Sequence, residues 1–456
     1  MINTLNTGQG NFLYVIREND LYGFIDPSGK IIAAPTYTKA FAVDHSYGLV
    51  EKEGNCGLIN YKGDFIFNPQ YKAITVLDET LFGIKEKDKF ALVDFTGELL
   101  TGFKYDSIFK FSEGLAVAYK ENRFGFLDKR GEEKISFRFD YATSFNRGLS
   151  IVKIKEKYGL IDSSGKFIQE CKYDWCRLYE NCYHVNIGGK ISDDECYGGK
   201  SGLLSLEGKA ITDLVFDNLD GFSEGRSTAR IGRLFGEINE KGIFTVPVIF
   251  DQQVHFSEGL AVVRKENKYG YVSESNQLVI DHQFDRAGNF NEGAAFVKLD
   301  ELEGFINRKG NFIRELSDIK LISFREESWL FNKDGKFGLM DHKGEIIIPA
   351  IYESLTNFYS CGFAWAKQDK LYGIINRRNE FVLTPQFDLK ILYPIEEEGI
   401  LMELAGKKGI LSVKNFEWIF LPEYDSIGVF KGSLVELEKE GKQLYANRNG
   451  ELVWKE

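Results

Sequence analysis

The chain has 456 residues and a formal net charge of −11. That balance argues against nucleic acid and anionic membrane surfaces as partners, since both need clustered Lys and Arg. An apolar share of 43% is ample for a core and argues against disorder.

Glycine is frequent (46) and Phe and Tyr are abundant (38 and 22), while Pro and Met are scarce (8 and 3). Aromatic residues fit a pleated, half-buried surface and glycine supplies turns with positive φ, so the composition predicts strands. Residues 1–11 read as an N-terminal extension. They lack the basic start, apolar stretch and small-residue cleavage site of a signal peptide. No run approaches the ~18 apolar residues of a transmembrane helix, so no membrane insertion is expected. Six cysteines are too few for a disulfide scaffold in a chain this long, and the expected location is cytoplasmic.

A repeat then governs the sequence. Aligned on Gly23 of the YGFID segment, equivalent positions fall at Gly57, Ala91, Gly125, Gly159, Gly202, Gly236, Gly270, Gly304, Gly338, Gly373, Gly409 and Leu444, mostly 34 residues apart. Three residues after each comes Asx or Ser, as at Asp26, Asn60, Asp94 and Ser273, and three further on Gly or Asn, as at Gly29, Gly63, Gly97 and Asn276. The Asx or Ser side chain can cap the backbone of the turn, and the final Gly or Asn accepts the left-handed conformation, so each copy predicts a hairpin turn. Further along comes an aromatic followed by an acid, as in Tyr105-Asp106, Phe139-Asp140, Phe284-Asp285 and Tyr424-Asp425, and then F-x-E-G-L-A-V, as in Phe111 to Val117 and Phe256 to Val262.

Each unit predicts three β-segments with a short fourth. They are an LAVV stretch (Leu260 to Arg264), YGYV (Tyr269 to Val272), and after the Asx turn an apolar stretch such as Ile346 to Pro349. Proline there, as at Pro35, Pro69, Pro349, Pro385 and Pro422, stops pairing or marks an edge. In YGFI, Tyr22 and Phe24 share one face while Gly23 and Ile25 share the other, so this strand is expected to be covered on both sides. A glycine repeated within a strand marks a close approach by other atoms, and Gly270→Val is expected to cost well over ~1 kcal/mol. No 3.6-residue apolar period runs for three turns, so no helix is predicted.

One step is 43 residues, from Gly159 to Gly202, and residues 183–201 read as an insertion between units. Cys171, Cys176, Cys182, His184 and Cys196 cluster around it. Zinc favours close C-x₂₋₄-C pairs; the first pair here is C-x₄-C and the others are irregular, and several of these residues occupy ordinary repeat positions. Packing thiols are therefore the expectation, with no metal and no cofactor. Gly199-Lys200-Ser201 imitates the end of a phosphate-binding loop, but its first glycine would be Asp194. His45, His184, His255, His282 and His342 lie in different units without paired spacing, so no catalytic residue is nominated. The recurring acid of the aromatic–acid pair is expected to cap turns or bond to a neighbouring unit. Trp175, Trp329, Trp365 and Trp418 depart from their columns and read as local core variation rather than a binding face.

These columns, F-x-E-G-L-A-V, a charged hairpin, Y-G-F-I-D-x-x-G and P-x-Y-D, resemble the bacterial WG-repeat family, also called KWG repeats, from about Phe12 to Trp454. The Trp of the W-G pair is never Trp here; its place is held by Tyr22, Cys56, Phe90, Phe124, Tyr158 and others, including Glu303. Most keep an aromatic, so its structural role is expected to persist. The resemblance implies a repeat scaffold with no catalytic residues to carry over.

The expected fold is all-β: residues 1–456 form a single array of about thirteen meander repeats, stacked as an open or spiral solenoid, with one or two closed β-propellers as the alternative. The expected function is a non-enzymatic scaffold for protein partners. A lectin-like module is the alternative, followed by a metal-binding or enzymatic protein using the segment from Cys171 to Gly202.

Overall fold

The computed structural model describes residues 12–43, 47–192, 195–223, 225–359, 361–387, 390–395 and 399–456. The N-terminal extension and His45 and Asp194 lie outside them. Among the described residues every regular element is a strand. The strands form thirteen small antiparallel sheets, most with four strands in sequence order, plus one two-stranded hairpin. No helix long and apolar enough to cross a membrane occurs among them.

The blade around Gly270 shows the plan. Its strands are Phe256–Ser257, Leu260–Lys265, Lys268–Ser273 and Leu278–Phe284. The short extra strand therefore comes first, ahead of the LAVV segment. At the turn between the third and fourth strands the Asx column caps its own backbone as the sequence predicts: Asp94 Oδ1 accepts from the N–H of Thr96 at 2.8 Å and of Glu98 at 3.0 Å. The Thr96 hydroxyl donates to the same oxygen at 2.7 Å, and with these backbone bonds it holds the Asp94 carboxyl below the usual range.

The third strand is buried on both faces, as expected: Phe24 and Ile25 are fully covered, as are Leu58 and Ile59. The close approach at the repeated glycine comes from the same sheet. Tyr269 pairs with Phe284 and Tyr271 with Ile280, so Gly270 alone faces Asp281, His282 and Gln283. This is an enlarged β-bulge in which the fourth strand arches over the place a Cβ would take. A Cβ on Gly270 would lie 2.6 Å from Ile280 O.

The same register break recurs opposite Gly23, Gly57, Gly338, Gly373 and Gly409. Of the two roles expected of the prolines, the edge position holds and the end of pairing does not. Pro35, Pro69, Pro349, Pro385 and Pro422 sit inside fourth strands that resume pairing at Tyr37, Tyr71, Tyr352, Phe387 and Tyr424. Proline costs no ladder bond there because the bulge is unpaired and the strand is an edge.

The recurring acid ties blade to blade. Asp285 accepts the Lys268 ammonium of its own blade at 2.6 Å on one oxygen, and on the other the N–H of Asp300 in the next blade's hairpin at 2.8 Å. Asp217 does the same with Lys200 at 2.8 Å and the Gly232 N–H at 2.7 Å. Asp425 links Lys407 to the Glu440 N–H, and Asp140 links Arg123 to the Lys155 N–H. The lysine bonds hold Asp217, Asp285 and Asp425 below the ordinary carboxyl range. A second tie uses the F-x-E-G glutamate: Glu258 accepts the N–H groups of Glu292 and Gly293 at 2.6 and 2.9 Å, and the Arg308 guanidinium at 2.9 Å.

The chain divides into two compact units, 1–171 with 390–456, and 172–389. Within the first, the opening sheet packs on the closing one. Tyr14, Ile16 and Ile25 share a core with Leu434 and Tyr445. The Tyr14 hydroxyl donates to Lys431 O at 2.6 Å, the Tyr445 hydroxyl to Val15 O at 2.9 Å, and Gln443 accepts the Arg17 N–H at 2.9 Å. An open or spiral solenoid would leave each terminal sheet one uncovered face. The contacts of this unit match the closed, propeller-type alternative. Sequence periodicity is blind to this, because it specifies neighbours in the chain and not the meeting of its ends.

Candidate functional site

The second unit contains the cysteine-rich insertion. The chain leaves the strand Cys182–Ile187, forms the hairpin strands Lys190–Ser192 and Glu195–Tyr197, and returns at Lys200–Ser205. Cys182 is fully buried, and its thiol is pushed up to about 12 by burial, with Glu240 adding to the effect. Burial also raises Cys176 and Cys171. Cys171 lies with its Sγ 3.9 Å from Val152 O, and Cys196 sits on the inserted hairpin. His184 is 5% exposed, its ring 4.8 Å from that of Trp175. Burial, with Arg177 adding to it, lowers its pKa from 6.5 to about 4. Among the described residues no group of three His, Cys, Asp or Glu is arranged to hold a metal. Trp175 and Trp365 are core residues, at 7% and 2% exposure, and Trp329 packs among Phe296, Phe305 and Phe324. His255 is exposed, His282 lies half-buried in the bulge, and His342 is buried with Nε2 2.9 Å from Glu292.

The site that stands out lies elsewhere in this unit, at the repeat of Gly304. Its fourth strand, Phe312–Glu315, is four residues long, against seven in Leu278–Phe284 and Ile346–Tyr352. It stops at the pair Gly304↔Glu315, and the chain turns away through Asp318 at φ 61°. The aromatic–acid pair is missing: alignment puts Asp318 and Ile319 where the preceding repeat has Phe284 and Asp285. Its cross-strand partner is missing too, because Glu303 stands where Tyr269 faces Phe284.

Leu316 takes the place of the missing aromatic, its N–H donating to Glu303 O at 2.8 Å and its side chain packing against Phe305, Phe331 and Met340. A groove of about 670 Å³ opens between this blade and the next. Phe331, Ile346, Pro349 and Ala350 give it apolar lining, and Arg314, Glu315, Lys333, Asp334 and Lys336 charge its walls. Ile346 is 50% exposed, whereas Phe331 is almost wholly covered. Among the described residues none of these five charges forms an ion pair, although both signs are present. An apolar groove with a few convergent charged groups is the usual form of a binding site. No catalytic or metal-binding motif points to these residues. The signal was available in the coincidence of Glu303, Asp318 and Ile319, three departures within one repeat.

Stacked four-strand blades with a D-x-x-G turn define a tandem β-repeat protein of propeller type. The sequence profile described as the WG containing repeat matches residues 22–56, 92–123, 124–158, 158–190, 235–269, 269–302, 337–372 and 414–442, more than half of the chain. The chain belongs to this family. Residues 303–336 fall between two matched windows, as do 57–91, 191–234 and 373–413. No curated protein sequence matches the chain.

Solved structures with some likeness include a eukaryotic initiation factor, at 9% identity and TM-score 0.31, covering 74% of this chain and 93% of that one. Another is the extracellular domain of a one-component system from B. thetaiotaomicron, at 9% identity and TM-score 0.22, covering 96% and 81%. These likenesses are too slight to bear on function.

Proposed function

We propose that the chain is a non-enzymatic repeat scaffold, cytoplasmic in location, that binds a protein partner through the groove between the Gly304 blade and the blade that follows it. The observation that supports this reading is the shortened fourth strand of the Gly304 blade, beside which apolar and charged side chains line one groove. Ile346 opens the fourth strand of its blade and is exposed in the groove; Leu278, 48% exposed, holds the same position in an uninterrupted blade.

The test is affinity capture from a lysate of the source organism by the parent, Ile346→Asp and Leu278→Asp, each verified as folded by circular dichroism. A protein retained by the parent and Leu278→Asp but lost by Ile346→Asp supports the reading. Equal capture by all three overturns it.

A further inference from the structure

A cation–acid contact recurs between neighbouring blades, separate from the acid of the aromatic–acid pair. The residue after the Asx of the D-x-x-G turn reaches back to an acid just ahead of the second strand of the preceding blade. Arg308 meets Glu258 at 2.9 Å, Lys129 meets Asp78 at 2.8 Å, and Arg377 meets Glu327 at 3.8 Å. His342 holds this place in its own repeat, with Nε2 2.9 Å from Glu292. Arginine and lysine stay charged at neutral pH, whereas an imidazole gains or loses its charge between about pH 5 and 8.

The imidazole falls where little else polar joins two blades. Between the Gly270 and Gly304 blades, Asp285 takes the N–H of Asp300, and Glu258 takes those of Glu292 and Gly293 together with Arg308. The Ser257 and Tyr271 hydroxyls add bonds to Phe290 O and Gly288 O. Between the Gly304 and Gly338 blades, Ile319 replaces the acid. Glu326 and Glu327 correspond to Glu292 and Gly293, but their N–H groups do not reach Glu292. Among the described residues, the approach of His342 to Glu292 is the only hydrogen-bonding or ion-pairing contact a side chain makes across this junction. Apolar packing supplies the rest, with Leu316 and Phe305 of one blade against Phe331 and Met340 of the next.

His342 Nε2 is buried and lacks hydrogen-bond geometry toward the carboxylate, so the contact attracts through charge. Other charged groups on the segments that meet here are Asp341, Lys343 and Glu345 on the same turn, Glu326 and Glu327 ahead of the strand Ser328–Lys333, and Arg314 beside Gly344. Asp341 is engaged by the N–H groups of Lys343 and Glu345, and the neighbouring Arg308 by Glu258.

We infer that His342 and Glu292 form a proton-dependent clamp between the Gly304 and Gly338 blades. The imidazolium holds Glu292 as Arg308 holds Glu258, and the neutral ring lets it go. As pH falls from about 8 to about 5, His342 gains charge while Glu292 keeps its own, so the clamp tightens. Below about pH 4 the carboxylate takes a proton and the clamp fails. The groove opens between the same two blades, so the clamp sets how firmly its walls are joined, whatever the groove binds.

Hydrogen exchange of the full-length protein at about pH 5.5 and about pH 8, corrected for the intrinsic pH dependence of exchange, reads the clamp directly. Protection over residues 328–340 is referred to that over residues 226–239, a hairpin held by Asp217. Because Glu292 is half exposed, the parent is expected to gain about two- to fivefold in relative protection at the lower pH. His342→Arg is expected to be protected equally at both. His342→Gln, and Glu292→Gln, which leaves the buried ring in place, are each expected to show the lower protection at both. The same pH dependence persisting in any of the three variants, or its absence from the parent, overturns the inference.

Discussion

Replacing Gly270 by Ala tests the packing plan on which every blade depends. A Cβ there would meet Ile280 O at 2.6 Å, Asp281 C at 2.9 Å and His282 N at 2.9 Å. All three are backbone atoms of a bulge that Tyr269↔Phe284 and Tyr271↔Ile280 pin on either side, so no side-chain rotation relieves the contact. Overpacking costs about 1–3 kcal/mol where side chains can adjust. With only backbone to move, the upper end, about 3 kcal/mol, is expected.

Gly83→Ala is the matched control. It too lies in a strand, but its nearest neighbours would be Leu77 Cδ1 and Phe90 Cδ1 at 3.6 Å, an ordinary contact. Its effect is expected to stay within about 1 kcal/mol. Urea unfolding followed by tryptophan fluorescence reads the overall change. Hydrogen exchange over residues 260–284 localises it, which matters because a long array need not unfold in one step. If Gly270→Ala leaves both the midpoint and the local exchange at parent values, the close-approach argument is wrong.

His184 binds its proton more weakly in the folded chain, with a pKa near 4, than at its ordinary 6.5. The unfolded chain therefore takes up a proton first on acidification. The stability this group supports is complete above about pH 6.5 and lost as pH falls toward 4, by up to about 3 kcal/mol. His184→Phe is expected to flatten that part of the stability–pH curve; an unchanged slope refutes the assignment.

Cys182, fully covered and raised by burial, should resist iodoacetamide at neutral pH until the chain is unfolded, because the thiolate is the reactive form. Mass-spectrometric mapping of early alkylation at Cys182 would contradict its burial. Asp285→Ala removes a tie between blades and should speed exchange of the Asp300 amide relative to that of Gly232, which Asp217 still holds.

The elements most legible in the sequence are those written within one repeat. The Asx turn needs only a side-chain oxygen and the N–H groups that follow it, so its position could be read from D-x-x-G alone. Burial of both faces of the YGFI strand followed from its alternation. The source of the pressure on its glycine did not, because a bulge is a register relation between two strands and leaves its trace only in the odd spacing between Gly270, Ile280 and Phe284. The acid of the aromatic–acid pair was rightly assigned to turns and neighbouring units, but its simultaneous hold on Lys268 and Asp300 spans two blades and three segments. The groove was hardest to see. It is marked by what Glu303, Asp318 and Ile319 fail to be, and a reading that seeks motifs passes over a missing one. The packed ends, Tyr14 on Tyr445, lie beyond any local pattern.

The tie made by Asp285 has a consequence for how such a chain can change length over evolution. Although Thr38, Lys72 and Ile319 hold the acid's place in some repeats, a repeat that keeps the acid carries it for the junction after and the hairpin N–H for the junction before. A duplicated repeat therefore arrives with both halves of a new boundary, and a deleted one leaves complementary halves facing each other. Copies can be gained or lost by whole-repeat recombination without a new interface having to be invented. Selection is left free to alter a single copy, as at Gly304, while its neighbours keep the array intact.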